Sequence, residues 1–467
     1  MNERVIASAA LDGQSFLLYN RFKSDRLAER MGNLYRTAKE IDPRHIVIVH
    51  AHSGTLQNWD DWLVARECDF YGTSTHEVPM DRLHDSRKGY SKFTTHLDIM
   101  RSAAGKKQYY WISELSGGTG IMAPTPPKRI NERELLFNLW TSVAHGAKGI
   151  FFWQFKTEEL VMQESPGGWG LVNLDGSETY RTKEFRSFAA VIRKHEKLFV
   201  NLKSLPAETG LLYLPEMRIL QQMLRFPGYA EAFFGAHYAL WISNINFDLI
   251  RFPEDMARYK TIYCPMPWIV NRDAAAAIRT FIANGGKFVC DGGLAWYNED
   301  GWLSRKVPGY GFAEEAGFVE KDIRYLDTVD IKVKNILLKS AREKRLIEIT
   351  DGKKCRIIGK FKDGTPAVLS AKIGKGELVY FASCVSACFS GKEDPAAAVK
   401  LIDFLGISPS VRISPVGQIT CRVLEHENKN IYFVFNHSVK KQEVKTSIPG
   451  HAKLSLAGKE VKIIGLK

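Results

Sequence analysis

Apolar residues at Leu27, Met31, Leu34, Tyr35 and Ala38 recur at helical spacing within SDRLAERMGNLYRTAKEID, which predicts a helix with one buried stripe ending at Asp42-Pro43. HIVIVHAHSG follows as a short apolar run of strand type. The alternation then repeats three times. A helix around WDDWLVARE precedes the strand CDFYGTSTHE, SKFTTHLDIMRSAAG precedes YYWISELSGG, and after the Pro-rich loop MAPTPPKR the helix NERELLFNLWTSVAHGA precedes KGIFFWQFK. Strands alternating with helices predict a parallel sheet. Polar or aromatic residues follow each strand: His50 and His52, then His76, then Glu114, then Trp153 and Gln154. Groups collected at the C-terminal ends of successive parallel strands are how a (β/α) barrel builds its site. A doubly wound sheet fits the alternation too, but would concentrate its site at a switch point, usually with a Gly-rich phosphate loop, which is absent here.

From about residue 205 the pattern changes. ETGLLYLPE, HYALWISNINFDLIRF, YKTIYCPMPW, AAAAIRTFIANGGKFVCDGG and GELVYFASCVS predict a second α/β domain of flavodoxin-like type over 205–405. VDIKVKNILL and LIEITDGKKCRIIGK alternate β-branched residues and predict a small inserted sheet. After Pro409 only short strands remain, ITCRVLEHENKNIYFVFNHS and AKLSLAGKEVKIIGL, with HENKN as a hairpin turn. The expected division is 1–200, 205–405 and a small all-β domain over 406–467. A chain of 467 residues has length for two or three such cores.

Composition narrows the classes. Hydrophobic residues make up 45% and charged residues 25%, the balance of a soluble globular protein, and no apolar run approaches the roughly 20 residues of a membrane span. MNERVIASAALDG lacks a basic head followed by a sustained apolar core, so a cytoplasmic location is expected. The net charge of +13 is spread along the chain without a basic helix or an aromatic-basic motif, which argues against nucleic acid as a partner. The seven cysteines are scattered, with no C-x-x-C pair. Cys384 and Cys388 have i,i+4 spacing but lack the further ligands a zinc site needs, so no metal is expected.

In YYWISELSGGTG one carboxylate, Glu114, stands between an apolar run and a Gly-rich loop. An ionised carboxylate there is paired, held at the surface by the strand's end, or used. ISELSGG, LWTSVAHGAKGIFFWQFK and ESPGGWGLVNLDGS together resemble the C-terminal half of the catalytic barrel of family 42 glycoside hydrolases, the microbial beta-galactosidases. LLYLPE and IRTFIANGGKFVCDGG resemble that family's trimerisation domain. The resemblance implies strands 5–8 of a (β/α)8 TIM barrel followed by the trimerisation domain. It also implies a homotrimer acting on beta-galactosides or related oligosaccharides as a retaining glycosidase, with two glutamates and no cofactor. By this match Glu114 corresponds to the nucleophile at the end of the seventh barrel strand, with Ser113 and Ser116 as flanking hydrogen-bond donors to its ionised form. Trp153 is either a platform for a sugar's C–H face or a buried core aromatic. Glu164 resembles a loop acid that contacts galactose hydroxyls, although the His that follows it in the family is missing and the spacing is altered. His76 and His52 line the site or serve the structure, and His145 is read as structural.

A closed barrel needs eight units, yet four precede the second domain. In the family the acid/base Glu follows an Asn after the fourth strand. Asn2-Glu3 reads as such a pair, which makes Glu3 the candidate acid/base, but no strand precedes it to hold it in place. Two functions therefore stand. One is a glycoside hydrolase, or the downstream part of one. The other is a non-catalytic oligomerising protein that binds carbohydrate or a partner. Either way the strands near HIVIVH and GIFFWQF are expected to leave apolar faces and edges uncovered.

Overall fold

The computed structural model describes residues 13–51, 59–75, 86–105, 110–118, 133–158, 168–224, 228–391 and 394–466. Glu3, His52, His76 and Glu164 lie outside the described residues. Contacts divide the described chain into two compact units: 13–26, 59–60 and 207–408 form one, and the remainder forms the other.

In the second of these, β1 (Ile48–Ala51), β2 (Phe70–Thr75), β3 (Tyr110–Ser116) and β4 (Gly149–Trp153) form a parallel sheet in the order β1-β2-β3-β4. The helices are α1 (Gly13–Ile41), of which residues 27–41 belong to this unit, α2 (Asp61–Arg66), α3 (Ser86–Ala104) and α4 (Glu134–Ala144). The stripe expected on α1 runs through Leu27, Ala28, Met31, Tyr35 and Ala38, all at least partly buried, but Leu34 is 58% exposed. Tyr35 donates to Asp69 Oδ1 at 3.0 Å and Lys39 pairs with the same carboxylate at 2.7 Å, which turns the Tyr35 side inward and Leu34 outward.

The two faces of this sheet differ. Tyr71, Tyr110, Ile112 and Leu115 are 0–1% exposed and form the packed face, against which α3 lies. The register pairs Ile48 with Phe70, His50 with Gly72, and Gly72 with Trp111 and then Gly149, so these residues and Phe151 share the other face. There Phe70 stacks on Trp111 at 5.0 Å and Trp111 meets Phe151 at 5.1 Å, an aromatic row across three strands. This face is open: Ile48 is 39%, Phe151 48% and, just beyond β4, Phe155 70% exposed. Among the described strands, β1 and β4 each pair on one side only.

A short strand, β5 (Lys203–Ser204), ends this stretch. The other unit is built on β6 (Thr209–Leu212), β7 (Phe247–Ile250), β8 (Thr261–Pro265), β9 (Lys287–Asp291), β10 (Phe318–Val333), β11 (Ile336–Ile349), β12 (Cys355–Phe361), β13 (Pro366–Ile373) and β14 (Gly376–Phe381). They form one nine-stranded sheet in the order β11-β10-β12-β13-β14-β9-β8-β6-β7. Its β14-β9-β8-β6-β7 part is parallel, as a flavodoxin-like domain requires. The expected inserted sheet is not separate. β10–β13 are antiparallel and add to the edge of the parallel core through β14. Tight connections, with left-handed residues at Lys334 and Gly364, fold β11 back beside β10 and β13 back beside β12, while β12 pairs with β10 on the side away from β11.

The C-terminal strands are β15 (Ile413–Ser414), β16 (Ile419–His426), β17 (Lys429–Asn436), β18 (Gln442–Thr446), β19 (Lys453–Leu456) and β20 (Val461–Ile464), in sheets β15-β18-β19 and β20-β17-β16-β5. Glu427 and Asn428 both have positive φ, so HENKN forms the two-residue hairpin its residues suggest. This module packs with β1–β4 in one unit. Phe137 of α4 meets Phe435 at 5.3 Å, and Arg422 reaches the fully buried Asp98 of α3 at 3.0 Å.

Candidate active site

Glu114 sits where β3 departs from regular pairing. Thr73 faces Ile112, but Ser74 faces Glu114, so Ser113 is an extra residue in the strand. Such a bulge re-aims the side chain that follows it. Glu114 is thereby placed beside Ser74, whose Oγ donates to Glu114 Oε2 at 2.6 Å. His50 Nε2 lies 2.6 Å from the same Ser74 Oγ and 3.9 Å from Glu114 Oε2. The Glu114 side chain is 23% exposed and that of His50 39%, so the carboxylate is both held and reachable.

Of the two flanking serines, Ser113 does not act as the expected donor. Ser113 Oγ is buried without a hydrogen-bond partner among the described residues. It points at Gly72, where a Cβ would come within 2.6 Å of it. Ser116 lies across from Trp153 in the β3–β4 register. A donor to Glu114 stands on the neighbouring strand, and neither Ser74 nor its link to His50 is visible from the residues around Glu114. The one signal was the polar run GTST at the end of β2.

The segment around Trp169 crosses the ends of β3 and β4. Gly118 N and Gln154 N both donate to Trp169 O, at 3.0 and 3.2 Å, and Leu171 N donates to Gln154 O at 3.0 Å. A Cβ on Gly117 would meet Trp169 O at 2.8 Å, so the turn after β3 needs glycine for this close approach. Arg181 Nε to Gly170 O and Thr179 Oγ1 to Leu171 O pin the same segment from the following helix. Trp153, at the end of β4, is 39% exposed and available to a ligand. His145 is buried against Asp98 at 3.0 Å. Burial pushes its imidazole down to about 4 despite that carboxylate, so it is a neutral structural residue. Among the described residues no three His, Cys, Asp or Glu side chains converge as metal ligands.

A parallel βα sheet that presents a hydrogen-bonded glutamate and an exposed aromatic at the C-terminal ends of adjacent strands has the construction of part of a (β/α) barrel, at the end where that fold gathers its functional groups. Residues 7–198 match the family described as beta-galactosidase, and residues 218–406 match the beta-galactosidase trimerisation domain. The chain belongs to family 42 of the glycoside hydrolases. It is 24% identical over 450 residues to beta-galactosidase BgaA of Planococcus sp. (strain 'SOS Orange'), covering 90% of this chain and 62% of that relative. Among solved structures it is similar to the beta-galactosidase from Bacillus circulans sp. alkalophilus, with a TM-score of 0.82 at 19% identity, covering 96% of this chain and 67% of that one. The cold-adapted beta-galactosidase from Rahnella sp. R3 has a TM-score of 0.83 at 18% identity over the same shares. The chain therefore spans about three fifths of the length of that curated relative.

Proposed function

We propose that this chain carries the nucleophile side of a retaining beta-galactosidase, with Glu114 attacking the anomeric carbon. The observation that supports it is the carboxylate itself: at the end of β3, partly exposed, and accepting a hydrogen bond from Ser74. Attack forms a glycosyl-enzyme while a second carboxyl group protonates the departing oxygen, and water then releases the sugar. In a retaining site the two carboxyls lie about 5–5.5 Å apart, so the acid must stand opposite the open face of the sheet. Glu3 is the candidate acid within this chain. Trp153 is assigned to the sugar's C–H face, and Glu164 and His76 to further substrate contacts. The trimerisation domain over 218–406 supports a homotrimer, in the cytoplasm, acting on beta-galactosides or related beta-glycosides.

A 2-deoxy-2-fluoro-galactoside with a good leaving group should label Glu114, read by peptide mass spectrometry. Label on another carboxylate overturns the assignment. Light scattering at micromolar concentration should give three times the chain mass, and a monomer would count against the trimer. The exposed row of Phe151, Trp153 and Phe155 favours one alternative, carbohydrate binding without turnover. That reading holds instead if wild type and Glu114→Gln bind galactosides equally and neither turns them over.

A further inference from the structure

We propose that Ser74 is a positioning residue that relays a hydrogen bond from His50 to Glu114, a role resting on the reading of Glu114 as nucleophile. A hydroxyl has one proton to donate. Ser74 gives it to Glu114 Oε2 at 2.6 Å, so the contact of 2.6 Å with His50 requires Nε2 to carry the proton and Ser74 to accept it. The imidazole is therefore Nε2-protonated, in either its neutral or its charged form. The order of donors is set: His50 Nε2–H to Ser74 Oγ, and Ser74 O–H to Glu114 Oε2. Every donor in it favours the carboxylate over the acid, the form the nucleophile needs.

The relay also orients. Hydrogen bonds to a charged acceptor are shorter and stronger than neutral ones, and one at 2.6 Å across a bulged strand pair fixes the carboxylate's rotation. The three groups come from the ends of three adjacent strands, β1, β2 and β3, so the backbone ladder that sets the sheet also sets the relay. His50 is the half-exposed end and lies on the open face.

The test pairs a chemical readout with a spectroscopic one. Labelling of Glu114 by the 2-deoxy-2-fluoro-galactoside should slow about tenfold or more in Ser74→Ala, the scale of one hydrogen bond to a charged group, and recover in Ser74→Thr. The unfolding midpoints of both variants are measured alongside, so that a loss by misfolding is recognised. Equal labelling rates in wild type and Ser74→Ala overturn the relay while leaving Glu114 as nucleophile. If wild type is not labelled at Glu114, the functional reading fails, and the relay is decided by the 15N shifts of the His50 ring, assigned with His50→Gln. A protonated Nε2 whose shift moves in Ser74→Ala supports it. A bare Nε2 with the proton on Nδ1 overturns it, because Ser74 would then be donating to His50 and not to Glu114.

Discussion

Among the described residues, two sheets contain parallel strands that end in an acid, and the fates of those acids differ. In the nine-stranded sheet β6 is buried at every position and β8 and β9 at all but the first. Asp291 at the end of β9 is fully buried, with Oδ2 accepting from Ser386 N at 2.7 Å and Tyr263 O–H at 3.2 Å. Burial, reinforced by Glu343, pushes its carboxyl up to about 6. In the sheet of β1–β4, Glu114 occupies the corresponding kind of position but is 23% exposed beside Ser74. The construction of alternating strand and helix puts an acid at a strand's C-terminal end in both. What covers that end decides whether the acid is locked into the core or left for chemistry.

The sharpest test of that contrast is at Glu114. Glu114→Gln should lower hydrolysis of a nitrophenyl galactoside by at least about 10⁴-fold while the unfolding midpoint stays put, since the covalent route is lost but packing is not. A modest loss would place the nucleophile elsewhere. The next effect concerns the open face. If no acid stands opposite Glu114 in the chain alone, hydrolysis of lactose should fall about 10²–10⁴-fold below that of a barrel with its acid in place, and nitrophenyl galactoside should be spared, because a good leaving group needs the proton less. Ordinary turnover of lactose by this chain would mean that Glu3 or another carboxylate supplies the proton.

Packing gives the third test. Phe288→Ala in β9, at a fully buried site, should cost about 3–5 kcal/mol in urea unfolding, whereas Phe151→Ala in β4, at a residue 48% exposed, should cost about 1 kcal/mol. If both cost the same, the face of β1–β4 is covered in solution. The smallest effect is in the buried acid. The folded carboxyl of Asp291 titrates above its unfolded value of 3.8, so its contribution is full below pH 4 and is lost as pH rises to about 6. Asp291→Asn should therefore remove about 2–3 kcal/mol of that decline and flatten the profile of unfolding midpoint between pH 4 and 7. An unchanged profile would show the carboxyl to be solvated like that of Glu114.

Local pattern carried much of this protein. The 3.6-residue and apolar-run periodicities marked the four βα units, the glycines and asparagines marked turns such as HENKN, and the position of Glu114 after an apolar run placed it at a strand's end. Those features depend on neighbours within a few residues, which is the range over which side-chain chemistry constrains the backbone. The bulge at Ser113, the relay through Ser74 and His50, the inward turn of Tyr35 in place of Leu34, and the joining of β10–β13 to the parallel core were decided only in three dimensions. The bulge, the relay and the turn of Tyr35 depend on hydrogen bonds between segments far apart in sequence, 40 residues for Ser74 and Glu114, and the joining of the sheets rests on the pairing of β14 with the distant β9. Register between strands is set by that pairing, and a slip of one residue, which no local pattern records, would have exchanged the side chains that meet across it.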